Sequence, residues 1–127
     1  MFRFAALAFL LTTCGPDETI SGFADPEARY RLTSLDGEGF IANAYIRFPE
    51  PGQVTGTGPC NSFSADQRVP YPWFELGPIA TTRRACPDLA AEADYFAALS
   101  EMQFAEVFDQ TLLLTNDAGR EMLFHVE

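Results

Sequence analysis

Two short segments constrain this chain more than any other part of it. Gly56-Thr-Gly-Pro-Cys-Asn-Ser-Phe63 and Thr82-Arg-Arg-Ala-Cys-Pro87 each set a cysteine among glycine, proline and small residues. That is the composition of turns, not of element interiors. Cys60 and Cys86 stand 26 positions apart. In an exported protein two such cysteines are more often joined than free. The expectation is a staple between two loops of one small β-rich domain, and chain entropy puts its closure at roughly 3–4 kcal/mol. The alternative is two unbonded thiols packed as small buried side chains. A redox or nucleophilic role is not expected, because there is no C-x-x-C and the one histidine is remote in sequence.

Export is itself legible. Met1-Phe2-Arg3 supplies one positive charge and Phe4 to Leu11 is an unbroken apolar run. The run is too short to span a bilayer permanently but matches a secretory h-region. Leu11-Thr12-Thr13-Cys14-Gly15 follows, an aliphatic residue three before a cysteine, which resembles the bacterial lipobox. Thr13 stands where Gly, Ala or Ser is usual. The expectation is a signal peptide over residues 1–13, cleavage before Cys14, and acylation of Cys14, whose several buried chains would anchor the protein stably. Residues 14–27 are rich in Gly, Pro, Ser and acids and read as a flexible tether. Gly15 is not the aspartate that retains lipoproteins at the inner membrane, so the outer membrane, facing the periplasm, is the expected location.

From residue 28 the pattern is that of strands. Tyr30 and Leu32 alternate with Arg29, Arg31 and Thr33, and Ala44, Ile46 and Phe48 share a face. Strands are expected over 28–35, 40–48, 53–58, 63–69 and 73–80, divided by Asp36-Gly-Glu-Gly39, Pro49-Glu-Pro-Gly52 and Pro70-Tyr-Pro72. Beyond Cys86 the period changes. Leu89, Ala93, Phe96, Leu99 and Met102 or Gln103 recur at helical spacing, which predicts one helix over 88–101. Three more strands are expected at 103–109, 110–115 and 121–126. The fold class is therefore α+β: mainly antiparallel sheet of about eight short strands, an open barrel or sandwich, with one helix before the last three strands.

These residues also resemble a known family. Val54-x-Gly56-x-Gly58-x-Cys60-Asn61-x-Phe63-x-Ala65, then Thr82-x-x-Ala85-Cys86-Pro87 and a helix carrying Glu92, Phe96 and Leu99, are similar to the META domain. The closing strands, with Leu112-x-Leu114 and Gly119-x-x-Met122-x-Phe124, fit its C-terminal end. The resemblance covers roughly residues 28–126. It departs in the short stretch before Cys60 and in Ala65, where glycine is common. It implies a compact mixed β fold, a bacterial envelope location, and no established catalytic activity. Some members are heat-shock lipoproteins, and the family is linked to stress and antibiotic tolerance.

The remaining chemistry is sparse. A formal charge of −10, from 18 acids against 8 bases, repels phosphate backbones and excludes nucleic acid as a partner. His125 alternates with Phe124 and Val126 on a terminal strand and is expected on the wetter face. One histidine and two cysteines cannot hold zinc without giving up the staple, so neither metal nor cofactor is expected. Glu92, Asp94 and Glu101 read as helix-end and solvated charges. Arg83 and Arg84 form the one basic patch, and Tyr71 and Trp73 lie in an aromatic run. These four are the candidate partner contacts, the plainer alternative being salt bridges for the arginines and a core lid for the aromatics. The expected function is non-enzymatic: a lipid-anchored envelope protein that binds an unidentified envelope protein or small ligand. The alternatives are a small hydrolase using His125, Arg84 or an acidic pair, and an inhibitor that inserts the Gly58–Phe63 loop into a target.

Overall fold

A computed structural model describes residues 16–127. The expected signal peptide and Cys14 lie outside the described residues. The strands are β1 (Tyr30–Leu35), β2 (Glu38–Gly39), β3 (Tyr45–Glu50), β4 (Gln53–Thr57), β5 (Ser62–Asp66), β6 (Ala80–Thr81), β7 (Phe104–Phe108), β8 (Thr111–Thr115) and β9 (Glu121–Val126). One helix, α1 (Leu89–Glu101), precedes the last three. The pairing is antiparallel throughout, in the order β6-β5-β4-β3-β1-β9-β8-β7, with β2 added to β1. Strand pairing does not close the sheet into a full barrel. Among the described residues the expected α+β class, one α-helix before three closing strands, is the observed one.

Alternation does what period-two residues must do on a pleated strand. Tyr30, Leu32, Ile46, Phe48, Val54, Leu112, Leu114, Met122 and Phe124 point inward and are buried, and Arg31, Arg47 and Glu121 point away from them. α1 closes over this face with Tyr95, Ala98, Leu99 and Met102. Each large side chain so buried contributes about 1.5–3 kcal/mol. Tyr95 is fully enclosed, its hydroxyl donating to the Tyr45 carbonyl at 3.3 Å. Burial pushes its phenol well above the ordinary tyrosine range. At the β1–β2 turn Asp36 and Gly37 both take positive φ, 53° and 81°, the geometry that matches the twist of a tight hairpin.

Several sequence expectations need correction. The strand expected at 40–48 begins only at Tyr45 and runs through Pro49 to Glu50. The strand expected at 73–80 shrinks to a single Trp73–Phe104 bridge and to β6. Pro72 and Pro78 cannot donate to a ladder, which is why no continuous strand forms between them. The buried residues of α1 are Glu92, Tyr95, Ala98 and Leu99; of the predicted face Leu99 is buried and Phe96 half-buried, but Ala93 is exposed and Leu89 remains 44% exposed.

Part of the stretch expected as a tether, residues 20–24, docks on the domain. Ile20 is 2% exposed and joins the core with Ala24, held by a single 3-10 turn over Ile20–Gly22. Phe23 stacks on Tyr71 with ring centroids 4.2 Å apart, and the Tyr71 N–H donates to the Glu18 carbonyl at 2.7 Å. Composition suggested a linker because Gly, Ser and acids dominate the stretch. A few apolar side chains at 20, 23 and 24 nonetheless suffice to dock it.

Candidate functional site

The two cysteine segments meet as expected. Cys60 and Cys86 are disulfide-bonded, with Cα atoms 5.6 Å apart. Beside the bond lies a buried polar hub that sequence reasoning did not find. Glu92, 5% exposed, points from the first turns of α1 into the Cys60 loop. Its Oε2 accepts the backbone N–H of Cys60 and of Asn61, each at 2.7 Å, and its Oε1 accepts the Asn61 amide Nδ2 at 2.6 Å. Asn61 then faces the second loop. Its Nδ2 also donates to the Arg84 carbonyl at 3.0 Å, and its Oδ1 accepts from the Thr82 hydroxyl at 3.0 Å and from the Arg84 N–H.

Three stretches of chain are thus tied at one point: the loop before β5, the segment 82–86, and α1. Glu92 is not the solvated helix charge that was expected. The Cys60-Asn61 turn leaves backbone N–H groups facing inward, and buried donors demand an acceptor. The signal that could have located it was the bare loop itself, together with Glu92 falling in register with Tyr95, Leu99 and Met102.

The motif residues take their places around this hub. A Cβ on Gly58 would lie 2.8 Å from Glu92 Oε2 and 3.1 Å from the Phe96 ring, and one on Gly56 would lie 2.7 Å from the Phe63 ring. Glycine is required at both because something else already fills the space. Phe63 packs edge-on against Tyr95 and Phe96, at 5.9 and 5.4 Å. Thr82 Oγ1 additionally accepts the Ser62 N–H at 3.2 Å. Ala85 is exposed between Arg84 and Cys86.

The candidate contact residues do not converge. Arg83 and Arg84 are exposed beyond β6 and, among the described residues, make no ion pair, contrary to the salt bridges considered for them. The aromatic run divides. Phe74 enters the core at 1% exposure, Tyr71 is half-buried with its hydroxyl accepting the Val107 N–H at 3.0 Å, and Trp73 is left 55% exposed. Trp73 sits where the chain crosses the outer edge of β7. There the Phe74 N–H donates to the Gln103 carbonyl and the Ala105 N–H to the Pro72 carbonyl, both at 2.8 Å. Gln67, fully buried, donates from Nε2 to the Val69 and Trp73 carbonyls at 3.3 and 3.4 Å, which holds this crossing from behind.

A cavity of 810 Å³ opens here, between the crossing and the end of α1. His125 lies on β9, exposed, with Nδ1 3.3 Å from the Thr111 hydroxyl. Four strands separate β9 from β6, and so from the Arg84 loop. No helix among the described residues is long and apolar enough to cross a membrane.

The model of the META domain matches residues 24–127. The chain belongs to the META domain family. No curated protein matches it. Among solved structures, it is similar to a protein from Burkholderia xenovorans studied by NMR, with a TM-score of 0.65 and 18% identity over 79% of this chain and 81% of that one. A second NMR structure gives a TM-score of 0.63 and 21% identity, covering 80% and 90%. A crystal structure of a DUF4847 family protein from Bacteroides vulgatus gives 0.55 and 15%, covering 65% and 57%. At these identities the likeness speaks for the META fold alone.

Proposed function

We propose that this META domain protein is a non-enzymatic binding module, carried on the bacterial envelope by a lipid at Cys14. The observation that carries the first half is how the buried polar groups are used. Buried Glu92 and Asn61, with Thr82 at their exposed rim, form one polar cluster, and each spends its hydrogen bonds on the others or on backbone. A catalytic acid or base needs a proton position within reach of substrate, and Glu92, the one ionisable side chain of the cluster, is 5% exposed with both oxygens already accepting. The hydrolase reading called for His125, Arg84 or an acidic pair to converge; His125 on β9 and Arg84 beyond β6 lie apart, and the carboxylates that do share a cavity, Glu75, Glu101 and Asp117, have neither of them on its lining. The loop-inserting inhibitor fares no better, because Gly58 and Asn61 are buried against α1. The groove at Trp73 is open to a partner. The META domain is not a known enzyme family, which agrees with this reading.

The lipid anchor rests on Leu11-Thr-Thr-Cys14 and on the apolar run before it. With Gly15 after the cysteine, we place the protein at the outer membrane, facing the periplasm. Metabolic labelling with palmitate tests the anchor: label should enter the parent chain and be lost in Cys14→Ser. Equal labelling of both would refute it.

A further inference from the structure

The groove at Trp73 shows what kind of ligand the domain accepts, if it is the binding module proposed above. Its floor is apolar, built from Trp73, Phe104, Pro70 and Val69, with Phe74 and Met102 behind them. Trp73 and Phe104 are tilted at 41° with centroids 5.2 Å apart. A chain that encloses Tyr30, Phe48, Phe74, Tyr95 and Phe124 completely leaves its single tryptophan more than half exposed at this point.

The charges of the lining are of one sign. Glu75, Glu101 and Asp117 stand on it, and no arginine or histidine does. Glu101 shares Arg120 with Asp36, at 2.8 and 3.0 Å, so a single cation serves two carboxylates. Glu75 and Asp117 have no ion-pair partner among the described residues. An aromatic face with two unpaired carboxylates on the same lining attracts a cation and repels an anion. The volume of 810 Å³ is that of a pocket for a drug-sized molecule.

We propose that this groove binds a small organic cation with an apolar body, such as a quaternary ammonium compound. The apolar body lies on Pro70 and Phe104, the cationic head meets the Trp73 indole, and Glu75 and Asp117 supply the countercharge. A neutral molecule of the same shape keeps only the apolar part of this recognition.

The test uses the full chain with its disulfide intact. Benzyltrimethylammonium is titrated against its uncharged carbon isostere, neopentylbenzene. The Trp73 indole N–H resonance and the fluorescence of the one tryptophan report binding. Benzyltrimethylammonium should shift both saturably, and the isostere should bind at least tenfold more weakly. Glu75→Gln combined with Asp117→Asn should weaken the cation about fivefold and leave the isostere unchanged. Trp73→Ala, followed by the Phe104 and Ser100 amide resonances, should lose most of the affinity.

Equal affinity for cation and isostere would overturn the charge selection and leave the binding-module reading standing. Preference for an arginine-rich peptide over the small cation would likewise overturn the choice of ligand. Absence of saturable binding by all three probes, in protein whose amide spectrum shows it folded, would refute both the cation and the groove as the module's binding surface.

Discussion

Glu92→Gln is the sharpest perturbation of this domain, because a nominally conservative change meets a site that needs two acceptors. Glutamine offers one oxygen. Placed at the position of Oε2, it keeps the Cys60 and Asn61 N–H groups and turns its own amide NH₂ toward Asn61 Nδ2, which in the parent lies 2.6 Å from an acceptor. Two donors then face each other. Flipping Asn61 does not relieve them, since its Oδ1 is already receiving the Thr82 hydroxyl and the Arg84 N–H. One charge-assisted bond is lost, worth about 1.5–3 kcal/mol, and a buried donor is left unmet. The expected loss is about 3 kcal/mol, or about 10 °C in Tm for a domain of this size. Asn61→Asp should cost at least as much, because it sets a second carboxylate against Glu92. The two changes together exchange donor and acceptor: the amide introduced on α1 then faces the carboxylate introduced in the loop, and only the contact to the Arg84 carbonyl stays wrong. The double variant should be more stable than the sum of the singles predicts by about 2 kcal/mol. Guanidinium titration followed by Trp73 fluorescence and circular dichroism measures all four corners. A Glu92→Gln protein within about 0.5 kcal/mol of the parent, or a strictly additive double, would refute the hub as described.

Reduction of Cys60–Cys86, or their joint replacement by alanine, should lower stability by about 3–4 kcal/mol, as the chain-entropy model gives for a 26-residue separation; an unchanged denaturation midpoint in reductant would contradict it. Gly58→Ala should destabilise by about 1–3 kcal/mol, since its Cβ would press on Glu92 Oε2 and Phe96. Gly39→Ala meets nothing within 4 Å and should stay within about 0.5 kcal/mol, so thermal melts of the pair separate packing from backbone effects. Acid should weaken the fold through Asp36 and Asp17. Asp36 is held below its ordinary value by the Arg120 hydrogen bond and the Glu121 N–H. For Asp17 burial pulls upward, but hydrogen bonds from Ser21 and Thr19 outweigh it. Both are depressed in the folded state, so their contribution is present above the ordinary carboxylate range near 4 and is lost as pH falls through the depressed values. Asp36→Asn should flatten part of the stability-versus-pH slope below pH 4, by no more than about 1 kcal/mol for so exposed a pair.

What the chain announced in advance was its local periodicity. Tyr30-x-Leu32, Ile46-x-Phe48 and Leu112-x-Leu114 bury the side chains that alternation selects, and the change of period after Cys86 places α1 within a residue or so of its ends. The errors arise where a long-range partner decides. Leu89 loses its place on the buried face of α1 because the Cys60 loop, far back in sequence, needs a carboxylate there and turns Glu92 inward. Ile20 is drawn out of the expected tether by a core it could not be seen to touch. Acidic residues near a helix N-terminus satisfy the macrodipole equally well in water or in a loop. Helical spacing alone could not separate the two for Glu92.

Trp73 shows the same competition from the other side. An outer strand such as β7 presents unpaired backbone groups and must be covered. The segment that covers it carries prolines at 70, 72 and 78, so it makes only the short contact from Pro72 to Phe74 before leaving the edge. On a strand, neighbouring side chains take opposite faces. Phe74 goes into the core, and Trp73 must therefore face out, over the end of α1. The exposed indole follows from how the sheet edge is closed. Replacing Trp73 should thus leave the core intact, which is what a residue kept for a ligand requires.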